Sequence, residues 1–319
     1  MIIPKIFKVN PESIKASFIE MKFKYIAKNI SAFEIQSDLS GVDLSLDDLF
    51  HSGKVNQSSP LFLGKYSSSG IDMVNKRFGF YHLARRKGLR NLKITIQTND
   101  PFRHILRVYN NNVIKESNLV FEFIARFQTL IPPSDSELKT KFPEIKVLYI
   151  EWLNLQNPIR SFSKTRPPLP GQKFPGLGMG NEILSLFTIM SRHLKVDALL
   201  NVPQYYHTAL MFSKRFKFFN PYTQGKVQAI SKSLWSKYRL AVIAWAADYE
   251  CIRDLDSGEY FTWKAEQQIV PIHPKLKQYF NSDGYQNLVL ETQEKLRFEI
   301  DEVLLKEKLK TNPNDQFSF

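Results

Sequence analysis

The chain has 319 residues, a formal charge of +13, 43% hydrophobic residues and 13% aromatic residues. That composition excludes global disorder, and the length suits one large domain or two modest ones. A single cysteine, Cys251, excludes an intrachain disulfide framework, and the longest apolar run, residues 240–247, is too short to span a bilayer.

The first residues carry no apolar stretch of signal-peptide length. With the lone cysteine, this gives the expectation of a soluble cytoplasmic protein with no membrane insertion. Residues 1–70 read as an N-terminal extension. A helix is expected to begin near Asn10 and Pro11, with Ile14, Phe18 and Met21 on one face. Residues 38–50 are acidic and turn-rich, and 51–60 read as a loop.

From residue 71 the pattern sharpens. Met73 to Lys87 reads as a helix with Gly88 as its C-cap. Leu92, Ile94 and Ile96 alternate with polar residues, as in a half-buried strand. Asn99-Asp100-Pro101 is a turn, and 104–109 and 119–127 read as two further strands around Asn110 to Asn112. After a connection at 128–144 comes an apolar strand at 146–155.

A long basic, proline-rich loop follows, closing on Gly176, Gly178 and Gly180. Residues 181–195 then read as an amphipathic helix, 198–203 as a short buried strand, and 204–219 as a second helix. Strands followed by a strand–loop–helix–strand–helix unit imply an α/β or α+β fold with a mixed sheet. The expected divisions are an extension at 1–70, a core at 71–222 and a mainly helical region at 223–319. In that last region a helix is expected over 224–253, holding Cys251. A charged amphipathic helix is expected over 285–309, with Leu296, Ile300, Val303 and Leu304 inward. Residues 259–272 stay ambiguous between strand and helix, and the last ten residues read as frayed.

The charge is concentrated. Between Trp152 and Ala247, thirteen lysines and arginines face only two acids, Glu182 and Asp197, leaving +11 of the total. Such a field attracts anions and anionic macromolecules. A glycine run that opens into a helix can offer bare N–H groups and a positive dipole end to phosphate. Neither the Walker loop, which needs Lys-Ser/Thr after its last glycine, nor the dinucleotide fingerprint fits: Gly180 is followed by Asn181, and the glycines fall as G-x-G-x-G.

On these features residues 90–220 resemble the GNAT superfamily of N-acetyltransferases. Gly178-Met179-Gly180 matches the family's G-x-G/A step, the next helix and strand fall at its spacing, and Ala209 and Phe218 match positions in its last helix and after it. Three positions depart: Pro175 stands where the family has Gln or Arg, Ser213 where it has its acid Tyr, and Lys217 where it has Gly.

The resemblance implies a mixed, mostly antiparallel GNAT-like sheet flanked by helices, with extra N- and C-terminal helical segments. It implies an acyl-CoA-dependent N-acyltransferase, with acetyl-CoA or another acyl-CoA as co-substrate, or an acidic acyl carrier protein as donor. Lys173, Gly176, Gly178, Met179, Gly180 and Asn181 would then hold the pyrophosphate, and the backbone of Leu153 and Leu155 would pair with the pantetheine arm. Glu151, in an otherwise apolar strand, is the candidate base. His207 or Ser213 is the candidate acid in place of tyrosine.

His104 has no partner by spacing, and no Cys/His cluster suggests a metal. Two other functions stay open. A nucleic-acid-binding protein could use the basic 152–247 surface with Tyr205, Tyr206, Phe216, Phe218 and Phe219 stacking on bases. A non-catalytic GNAT-like protein could bind the ligand or serve as a scaffold.

Overall fold

A computed structural model describes residues 11–36, 61–132, 138–139 and 142–311, and the side chains of these except 11–16, 32 and 33. The fold is α+β. Its main sheet has seven mostly antiparallel strands: β1 (Lys93–Gln97), β2 (His104–Tyr109), β3 (Leu119–Leu130), β4 (Ile145–Leu155), β5 (Ala198–Asn201), β6 (Lys217–Phe218) and β8 (Gln268–Pro271). They run in the order β1-β2-β3-β4-β5-β8-β6. β7 (Ile252–Asp254) and β9 (Phe298–Ile300) form a separate antiparallel ribbon. Among the described residues no helix is long and apolar enough to cross a membrane.

The chain divides into two compact units. The first comprises Met1–Ile124, Leu153–Leu155 and Leu177–Leu194; the second comprises Ala125–Trp152, Gln156–Gly176 and Lys195–Phe319.

In the first unit, helices α1 (Pro11–Lys28), α2 (Ala32–Gln36), α3 (Ser68–Arg77) and α4 (Phe80–Arg86) precede the β1–β2 hairpin. The sequence suggests one helix from Met73 to Lys87, but Gly79 adopts φ 80° and breaks it in two. A left-handed residue ends one helix, and glycine takes that conformation without steric cost. Ser67 caps α3, its Oγ accepting from the Gly70 N–H at 2.9 Å. In α1 the expected apolar face is corrected: Phe18 and Met21 are exposed, and Phe23 is buried edge-on against Phe78 at 4.7 Å. The acidic stretch and loop expected at 38–60 lie outside the described residues, as do residues 312–319.

Helix α5 (Gly180–His193) buries Ile183, Leu184 and Phe187, and Phe187 stacks on Phe123 at 4.3 Å. It also buries Ser185, Thr188 and Ser191. Each hydroxyl donates to the carbonyl four residues earlier, at 2.8–2.9 Å, so burial leaves no hydroxyl unsatisfied.

In the second unit β4 and β5 run parallel, with Val147 to Ile150 opposite Ala198 to Asn201. β8 lies antiparallel to β5 and to β6. The ambiguous segment 259–272 thus supplies the strand β8. All four residues of β5 are buried, as its apolar run predicts for a central strand. Asp197, one of two acids in the basic region, accepts the Lys146 N–H at 2.9 Å, and its backbone carbonyl accepts from Ile272 and His273. Its charge is used to start the β5 pairing.

The helix expected over 224–253 is two helices, α7 (Pro221–Leu234) and α8 (Leu240–Asp248), so Cys251 is not helical. It lies buried just before β7, its thiol donating to the Tyr249 carbonyl at 3.3 Å. The expected 285–309 helix is also corrected. It breaks into α10 (Asp283–Lys295), β9 and α11 (Glu302–Thr311), after α6 (Tyr206–Phe212) and α9 (Pro274–Phe280) earlier in the chain. Ile300 is buried in a strand instead, and Val303 is exposed.

Gly225 lets α7 and α10 approach closely. A Cβ there would lie 2.6 Å from Thr292 Cβ and 2.6 Å from the Val289 carbonyl oxygen. Gly225→Ala is therefore expected to lower stability by about 1–3 kcal/mol through overpacking, read by urea denaturation. Gly284→Ala, where a methyl meets nothing within 4 Å, is expected to leave it unchanged or raise it.

Candidate functional site

In the first unit the glycine turn is fixed by backbone geometry. The Leu177 N–H donates to the Leu155 carbonyl at 3.0 Å, which ties the turn to the end of β4. Gly178 follows at φ 70°, and Met179, with φ −120° and no side-chain cap, leads into α5. The first turn of a helix carries N–H groups with no intrahelical acceptor, and here Gly178, Gly180 and Asn181 are exposed. A Cβ on Gly180 would meet nothing within 4 Å. Beside Gly178 stands a cation: Lys87 Nζ is 3.7 Å from where a Gly178 Cβ would sit.

Leu155, Gly178, Met179, Gly180 and the exposed Asn181 are thus brought together, with Leu153 two residues upstream on β4. The Leu155 carbonyl is already taken by Leu177, so that group does not pair with a ligand as the resemblance implies. Lys87 was not visible in the sequence, because nothing in the chain links it to a turn ninety residues later.

Lys173 and Gly176 belong to the second unit. The basic loop there is held by its own bonds. Gln156 bridges to Gly176, the Asn157 N–H donates to the Pro175 carbonyl at 2.8 Å, and Arg166 Nη2 donates to the Gly176 carbonyl at 3.0 Å. Trp245 Nε1 donates to the Pro168 carbonyl at 3.0 Å. Lys173 is exposed.

Glu151 is half-buried on β4, and Arg126 Nε of β3 lies 2.8 Å from its Oε1. The contact is an ion pair: the buried Nε–H is not directed at an acceptor. Arg126 also sits over the Tyr149 ring, 5.3 Å from its centroid. Arg126 was missed in the sequence. The signal was a lone Arg in one apolar strand matching a lone Glu in the next.

His207 and Ser213 sit on and just after α6. His207 is buried and stacks on Tyr205 at 5.4 Å. Burial pulls its pKa down to about 4, so the ring is neutral near pH 7 and resists taking up a proton. The Ser213 hydroxyl is engaged, donating to the Leu210 carbonyl at 2.7 Å. Neither is arranged as an acid toward a leaving group.

Four buried acceptors described in this unit lack a donor: Gln128 Oε1, Asn201 Oδ1, His207 Nδ1 and Gln268 Oε1. Asn201 and Gln268 are register partners across β5 and β8, and Gln268 Nε2 donates to the Ala209 carbonyl of α6 at 3.2 Å. The Asn201 and Gln268 side chains thus face each other's strand at the end of β5, with Gln268 also tied to α6.

His104 has a partner: its Nδ1 accepts the Leu63 N–H at 2.7 Å in the first unit. Among the described residues no group of three or more His, Cys, Asp or Glu is placed to hold a metal. No protein-family model matches the chain, and no curated protein is significantly similar to it.

Proposed function

We propose that this protein is a GNAT-like acyltransferase that moves an acyl group from an acyl-CoA, or an acyl carrier protein, to an amine. The observation that carries this reading is a parallel strand pair, β4 and β5, inside the mostly antiparallel sheet of order β1-β2-β3-β4-β5-β8-β6. The chain between those two strands is the glycine turn and α5. Pairing with β5 ends at Ile150 and Asn201, while β4 runs on to Leu155. The part of β4 beyond its pairing with β5 begins at Glu151, which is where the resemblance puts a ligand beside a base.

In the proposed step the amine nitrogen attacks the thioester carbonyl carbon, the C–S bond breaks, and the ammonium proton passes to Glu151. The thiolate leaves and takes its proton from water, since His207 is neutral and Ser213 is engaged. Arg126 pairs with Glu151 in the second unit, and in the first unit the turn with Lys87 holds the donor's phosphates.

The nucleic-acid reading is less well supported. Tyr206, Phe216 and Phe218, three of its five stacking aromatics, are buried in the core. Base stacking needs an accessible ring face.

Calorimetric titration with CoA and acetyl-CoA, followed by an amine screen, tests the proposal. Binding of both and turnover with at least one amine is expected. Glu151→Gln should keep the affinity and lower turnover by roughly 10²–10⁴-fold, the usual share of a general base. Absence of CoA binding overturns the reading. Binding without any turnover would favour the non-catalytic alternative.

A further inference from the structure

The first unit holds an apolar cavity of about 220 Å³, walled by its helices, by Leu92, by β2 and β3, and by Leu155, Leu177 and Met179. Among the described residues no Asp, Glu, Lys or Arg lines it. Its few polar groups are turned to other partners: the Tyr66 hydroxyl lies 3.1 Å from His193 Nδ1, and the Tyr81 hydroxyl donates to Asp72. The lining apolar side chains Val74, Leu106, Val108, Leu186, Ile189 and Met190 are half-buried rather than sealed, so the cavity is open to entry. A core of this size would close over such residues if packing were its only purpose.

One wall gives the cavity its meaning. Leu177 and Met179 flank Gly178 in the glycine turn, and Leu155 is the β4 residue to which that turn is tied. The same short segment offers N–H groups and Lys87 on its exposed side and two buried apolar side chains to the cavity. A ligand recognised by both sides has an anionic head and an uncharged hydrocarbon tail.

We propose that this cavity seats the acyl chain of the donor, and that the donor carries a medium-length fatty acyl group rather than acetyl. The assignment of the head to CoA rests on the function proposed above; the hydrocarbon site rests on the cavity alone. By proportion with an apolar cavity of ~150 Å³ that holds six-carbon benzene, this volume takes roughly eight to ten carbons.

The test is a titration of the full chain with CoA and with acetyl-, hexanoyl-, decanoyl- and hexadecanoyl-CoA. A parallel assay uses sodium decanoate to displace a fluorescent fatty acid. Each buried methylene should tighten binding up to roughly fourfold, giving at least about a hundredfold between acetyl- and decanoyl-CoA and little further gain at sixteen carbons. Val108→Trp should fill the cavity and erase that gain while leaving the affinity for CoA unchanged. Val74→Phe, from another wall, makes the same test if Val108→Trp does not melt cooperatively.

Equal affinity for CoA and every acyl-CoA would overturn the chain site and leave the donor reading standing. Decanoate binding that Val74→Phe abolishes, with no contribution from CoA, would uphold the chain site and overturn the CoA reading. Failure of decanoate to displace the probe, together with a flat acyl-CoA series, would overturn the inference.

Discussion

Gly180→Glu is expected to bind acetyl-CoA at least tenfold more weakly than the natural protein while melting at the same temperature or slightly higher. The position separates binding from folding. Gly180 opens α5, has no left-handed backbone requirement, and a Cβ there meets nothing within 4 Å. A carboxylate in the first turn of a helix is favourable to the helix itself, by about 0.3–1 kcal/mol. Toward a pyrophosphate seated on the same N–H groups it is a like charge at close range. At ~4 Å and an effective dielectric of about 20 near a protein surface, that repulsion is roughly 4 kcal/mol before screening, more than the ~1.4 kcal/mol that a tenfold loss of affinity needs.

Gly178→Val supplies the contrasting result. Its φ of 70° is strained for a β-branched side chain, so the turn itself should distort and both binding and stability should fall. Calorimetry and thermal melts on the pair decide the matter. Unchanged acetyl-CoA affinity in Gly180→Glu would remove the turn from the site.

Much of this arrangement was legible because local signals are strong there. The alternation at Leu92, Ile94 and Ile96, the apolar run of β5 and the glycines before an amphipathic helix each specify an element by short-range chemistry. The failures fall where tertiary contacts decide. Residues 285–309 have helical spacing throughout, yet Phe298 to Ile300 pair with Ile252 to Asp254, because a strand partner was available on the other side of α7 and α8. Phe18 and Met21 share a helical face in sequence, but Phe23 is the residue that meets Phe78 and Phe80.

The candidate site was half visible for the same reason. Gly178 and Gly180 declare themselves by composition and Glu151 by its apolar surroundings. Arg126 beside Glu151 and Lys87 beside Gly178 come from distant segments and depend on which elements pair. The role of His207 was misjudged from sequence, since its burial, and therefore its charge, depends on what covers α6.

That burial carries the second large expected effect, on stability. In the folded chain desolvation holds the His207 pKa near 4, against the ordinary 6.5 of an exposed imidazole. Below pH 6.5 the unfolded chain takes up a proton that the folded chain refuses. The contribution of His207 is therefore fully present above pH 6.5, is lost as pH falls from 6.5 to 4, and changes no further below that. The depression corresponds to about 3 kcal/mol.

His104 and His193 are also depressed by burial and act in the same direction, so the measurement must be a difference between the natural protein and His207→Phe. Phenylalanine keeps a ring to stack on Tyr205 and removes the buried Nδ1 that has no donor. At pH 7 the variant should be as stable as the natural protein or more so, because an unsatisfied buried acceptor is removed. From pH 6.5 to 4 the variant should gain about 3 kcal/mol relative to the natural protein, read by urea denaturation at each pH.

A difference that stays constant with pH would mean that the imidazole charges freely in the folded state, restoring His207 as a candidate acid. A difference that grows as expected fixes it as neutral. Under the proposed function, the acyl-transfer rate should then show no inflection from His207 between pH 6.5 and 8.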